Sequence, residues 1–160
     1  MDSQLVVFTE QQVEAKKGVR DFYEAKIVTA DAQIQALENA RVLKLQQLKV
    51  KQDQLQFKLR AEEVELDAAT NELQLADDQF KRQKKMYDEG LVSLTQFQQR
   101  SLSYQNAVAK KTSAENRLAQ TRQELVNLQL EQQSVIQDYA EKLSKTTGER
   151  FQNLGEVQSS

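Results

Sequence analysis

Between Val19 and Thr147 the chain contains one residue that readily breaks a helix, Gly90, and the 160 residues contain no proline at all. Without Pro or Gly, nothing along either side of Gly90 forces the backbone out of a helix once it has entered one. Alanine, glutamate, lysine, leucine, arginine and glutamine, all strong helix formers, fill 96 of the 160 positions. The expected class is therefore all-α, built from very long helices. Hydrophobic residues make up 39% and aromatics 6%, enough for seams between helices and thin for an interior several layers deep.

The residues around Gly90 read as a stop followed by a restart. Gly90 suits the left-handed residue that follows a helix, with an apolar contact expected between Leu91 and Met86. Ser93-Leu94-Thr95-Gln96 has the form of a capping box, and Val92 and Phe97 have the spacing of a hydrophobic staple. These cues predict a first arm over about 22–89, a turn at 90–93 whose central residues are Gly90, Leu91 and Val92, and a second arm over 94–160. At 1.5 Å per residue, arms of this length make a hairpin roughly 100 Å long.

Both arms carry coiled-coil periodicity. Spacings of three and four run through Leu45, Leu48, Gln52, Leu55, Leu59, Glu62, Leu66, Ala69, Leu73, Ala76, Phe80, Gln83 and Tyr87. The second arm repeats the pattern through Phe97, Arg100, Tyr104, Ala107, Lys111, Ala114, Leu118, Thr121, Leu125, Leu128, Gln132, Val135 and Tyr139. Beyond Tyr139 the apolar residues shift to Ile136, Leu143, Phe151 and Leu154, which predicts a stutter or a looser seam, and Gly148 and Gly155 predict a frayed end. The expected fold is a long antiparallel two-helix coiled-coil hairpin.

A second stripe, Ala36, Leu43, Val50, Phe57 and Val64, repeats every seven residues on the opposite side of the first arm. One partner helix cannot cover both faces. Either residues 1–28 fold back as a short third helix, after a weak restart signal at Thr29 to Asp31, or they continue the first arm and the stripe meets a neighbouring subunit.

The chain has no His or Cys, so zinc and haem sites built from them and Ser-His-Asp or Cys-His nucleophiles are excluded. No enzyme activity and no cofactor are expected. With 22 basic and 24 acidic residues intermixed, nucleic-acid binding is not favoured. The acids Glu62, Glu63, Glu65, Asp77 and Asp78 read as a solvated helix face, and Lys81, Arg82, Lys84 and Lys85 as cations favoured by a helix C-terminus.

Arg82, Met86 and Ser93 stand in the spacing R-x3-[L/M]-x6-S around the turn. With the second long helix that follows, the segment 82–97 resembles the hairpin tip of periplasmic adaptor proteins of the membrane fusion protein, or HlyD-like, family. Met86 departs from the family's usual Leu, a change that conserves volume. The resemblance implies an α-hairpin excised from a longer chain with lipoyl and β-barrel domains and an inner-membrane anchor, located in the periplasm. It implies that Arg82, Met86 and Ser93 dock an outer-membrane channel protein, that an inner-membrane transporter is engaged through the other domains, and that six copies assemble for secretion or efflux. The alternative is a cytoplasmic coiled-coil scaffold or a lipid-binding helical hairpin.

Overall fold

The computed structural model describes residues 2–160. Two helices account for nearly all of them: α1, Asp2–Asp88, and α2, Leu94–Ser159. They form an all-α, antiparallel helical hairpin with no strand among the described residues. Its contacts divide into a turn unit, Lys49–Leu130, and a terminal unit made of the rest of both helices, up to Leu48 and from Glu131.

In the turn unit the buried positions follow the expected seam. Leu55, Glu62, Ala69 and Ala76 of α1 are buried, as are Ala107, Ala114, Leu118, Thr121 and Leu128 of α2. Leu59, Leu66, Leu73, Tyr104 and Leu125 between them are half-buried, as expected when two helices share a single layer of contacts. The many alanines let the backbones approach, while the half-buried leucines keep a flank in water. Polar links bracket the seam: Arg100 donates to Gln79 at 2.9 Å, Lys110 to Glu72 at 3.2 Å and Arg117 to Glu65 at 3.2 Å. All are exposed, so each contributes at most about 1 kcal/mol.

Two sequence expectations change here. Arg100 stays exposed, and Ser101 takes the half-buried place beside Phe97. Glu62 is not part of a solvated acidic face: it is 6% exposed and accepts a hydrogen bond from the Thr121 hydroxyl, while Glu63 and Glu65 remain exposed. Its place in the heptad, between Leu59 and Leu66, overrides its charge.

In the terminal unit the seam extends back through Leu48, Leu45, Leu37, Ile34, Ala30 and Ile27 to Tyr23, and on α2 through Val135, Tyr139, Leu143, Thr146, Arg150, Leu154 and Val157. Arg150 pairs with Asp31 at 2.5 Å across the two helices. A stutter is present: Val135, Tyr139 and Leu143 are spaced four and four, matched by Leu37, Arg41 and Leu45 on α1. Ile136 and Phe151 nevertheless stay outside the seam, 53% and 75% exposed, and the polar Thr146 and Arg150 hold its positions.

Residues 2–28 do not fold back. They continue α1, which therefore begins well before residue 22. The Thr29 hydroxyl donates to the Ala25 carbonyl at 3.1 Å, closing a bond within the helix instead of capping a new one. Leu5, Phe8, Val19 and Phe22 are each at least half exposed. At the other end α2 runs to Ser159 as helix through Gly148 and Gly155, so the predicted fraying is not seen in the backbone.

Candidate functional site: the hairpin turn

The turn is built by local hydrogen bonds that the sequence specifies. Gly90 has φ of 77°, the left-handed conformation that an L side chain resists. The Leu91 amide donates to the Met86 carbonyl at 2.8 Å and the Gly90 amide to the Tyr87 carbonyl at 3.0 Å, the two bonds of a Schellman motif. Ser93 then starts α2 reciprocally: the Gln96 amide donates to Ser93 Oγ at 3.2 Å, and the Ser93 amide donates to Gln96 Oε1 at 3.1 Å. Val92 and Phe97 are both half-buried, as a staple requires.

Beneath these bonds lies a stack of four rings. Tyr87 and Phe97 have centroids 5.1 Å apart, Phe97 and Phe80 5.6 Å, and Phe80 and Tyr104 5.4 Å, all with near-parallel planes. Such pairs add roughly 0.5–1.5 kcal/mol each beyond burial. The stack makes the last turns of α1 and the first of α2 a rigid base for whatever the turn presents. The sequence offered a signal for it that went unread: Phe80 and Tyr87, and Phe97 and Tyr104, are each seven apart and mirror one another across the turn.

The residues singled out from the sequence fall on the outside of this base. Arg82 is exposed and makes no ion pair, as do Lys84 and Lys85. Lys81 differs: Asp77 accepts its hydrogen bond at 2.9 Å and, with its charge, raises that ammonium above its usual 10.5. Met86 lies four residues beyond Arg82, so the two share one helix face; it is 37% exposed. Ser93 is exposed, with its oxygen occupied by the cap and its hydroxyl hydrogen still free to donate. Leu91 and Leu94 are 66% and 51% exposed. Arg82 and Met86 therefore stand together on α1, with Ser93 across the turn at the start of α2. An open groove beside them, lined by Gln83, Val92, Gln96, Gln99 and Leu102, had no signature in the sequence.

Among the described residues no group of acidic side chains could hold a metal ion, and no helix is long and apolar enough to cross a membrane. No protein-family profile matches the chain, and neither a curated protein nor a solved structure is significantly similar to it.

Proposed function

We propose that the hairpin is a non-enzymatic adaptor segment of the periplasmic membrane fusion protein type, whose turn docks an outer-membrane channel protein in secretion or efflux. The observation that carries this reading is the make-up of the turn: Met86, Leu91 and Leu94 are exposed beside the unpaired Arg82, over a base of stacked rings. Apolar side chains on a rigid turn gain by burial against a partner, and Arg82 supplies a fork of donors for partner carboxylates or carbonyls. Met86 adds a deformable contact and Ser93 a donor.

Self-association belongs to the same reading. In the turn unit Val50, Phe57 and Val64 are 57%, 68% and 68% exposed at seven-residue intervals, with Gln54 and Ala61 between them, and the Arg60 guanidinium lies over the Phe57 ring at 5.5 Å. The side of α2 opposite the seam carries Gln, Asn, Ser, Thr, Ala, Val and Leu and no charge from Thr95 to Leu130. An exposed apolar heptad stripe on α1, flanked by charges, and a charge-free face on α2 suit hairpins set side by side in a homo-oligomer. The proposed location is the periplasm, with the transporter engaged through other domains.

The test is export by the protein carrying Arg82→Asp or Met86→Asp. Loss of export at normal protein level and unchanged melting supports docking at the turn. Normal export in both variants contradicts it, and strong co-sedimentation of the hairpin with anionic vesicles would favour a lipid-binding hairpin instead.

A further inference from the structure

The seam of the turn unit holds two buried polar side chains, and they face each other. Glu62 is 6% exposed and Thr121 1% exposed, the least exposed residue in the described chain. The Thr121 hydroxyl donates to Glu62 Oε1, while Glu62 Oε2 is buried with no partner. Arg117, on the facing helix one turn before Thr121, is paired with Glu65 instead. For stability alone an apolar pair would serve better, since a buried polar group with half its hydrogen bonds missing costs more than it returns.

We propose that the Glu62–Thr121 pair is a register lock, which makes the native alignment of α1 with α2 the only one in which a buried carboxyl group finds a donor. The remaining buried positions of this seam are Leu and Ala repeated at heptad spacing, so along the seam, away from the turn bonds and the ring stack that also oppose a slip, little else sets the register. A slip of one heptad puts Glu62 level with Ala114 or Leu128, and Thr121 level with Leu55 or Ala69. Neither Ala nor Leu can donate. Pairing of two α1 seams from different chains, parallel and in register, brings two Glu62 carboxyl groups together. Each wrong alignment therefore strands a buried carboxyl group, and the pair adds to the turn in discriminating against it.

The experiment compares the 160-residue chain with Glu62→Leu/Thr121→Leu and with Glu62→Gln. Each carries spin labels on cysteines introduced at the exposed positions Gln74 and Ala109, and each is refolded from denaturant. The parent chain is expected to give one short inter-label distance. The double Leu variant is expected to melt higher yet give a second, longer distance, from a slip of about 10 Å along the helices, or an added dimer in its mass distribution. Glu62→Gln keeps an amide oxygen for the Thr121 hydroxyl and is expected to retain the single distance. A double Leu variant with the parent's single distance and mass overturns the lock, and so does a Glu62→Gln variant as heterogeneous as the double Leu variant.

Discussion

Tyr87 and Phe97 lie ring over ring across the turn, with centroids 5.1 Å apart and planes 13° from parallel. One residue stands in the last turn of α1 and the other in the first turn of α2, so this contact ties the two helices together where their backbones separate. The turn's hydrogen bonds and the stack act on the same few residues, and the exposed groups of the turn inherit their order from both.

Replacing Gly90 by Ala forces a side chain into a backbone with φ of 77°. The melting temperature is expected to fall by the equivalent of about 1 kcal/mol. Gly148→Ala is the opposite case: the site is helical and an added Cβ meets nothing within 4 Å. That variant is expected to gain up to about 1 kcal/mol. Thermal melts followed by circular dichroism measure both.

Leu118 and Leu128 are 5% and 2% exposed, the most deeply buried leucines of α2. Truncating either to Ala is expected to cost about 2–4 kcal/mol. The same change at Leu130, which is 59% exposed, is expected to cost far less. Leu66 and Leu125, only half-buried, should fall between. Chemical denaturation of the five variants gives the order directly.

Ser93→Ala removes the acceptor of the Gln96 amide and is expected to cost about 1 kcal/mol. Ser93→Asp keeps an acceptor there and adds a negative charge at a helix start, so its melting should stay close to that of the parent. If Ser93→Asp still impairs export, the contact made by the hydroxyl is separated from its capping role.

Removing one ring of the stack tests whether the rings hold the turn as a unit. Phe97→Ala takes away the partner of both Phe80 and Tyr87 and is expected to cost about 3 kcal/mol or more. Faster amide exchange should then be confined to the residues around the turn. Exchange that rises evenly along both helices would contradict a local role.

What the sequence made legible was governed by local chemistry. Gly90, Ser93 and Gln96 specify their hydrogen bonds within a few residues, so the turn could be placed from them alone. The course of residues 2–28 could not, because Leu5, Phe8, Ala15, Val19 and Phe22 show the same period whether the helix folds back or continues. The Thr29 hydroxyl bonds backward to Ala25, and either use of that side chain fits the sequence. Glu62 was equally ambiguous, as a carboxylate at a heptad position is usually solvated, and its burial here goes with its place between Leu59 and Leu66 and with the Thr121 hydroxyl facing it. Arg150 held a seam position that an apolar residue was expected to take, because Asp31 across the seam balances its charge.

The measurement that bears most directly on docking at the turn is site-specific photocrosslinking in cells that produce the protein, with a photoreactive residue at Leu91, 66% exposed in the hairpin. The account predicts an adduct between Leu91 and an outer-membrane channel protein, weakened when Arg82 is changed to Asp. No protein adduct at Leu91, or adducts with phospholipid alone, would contradict it.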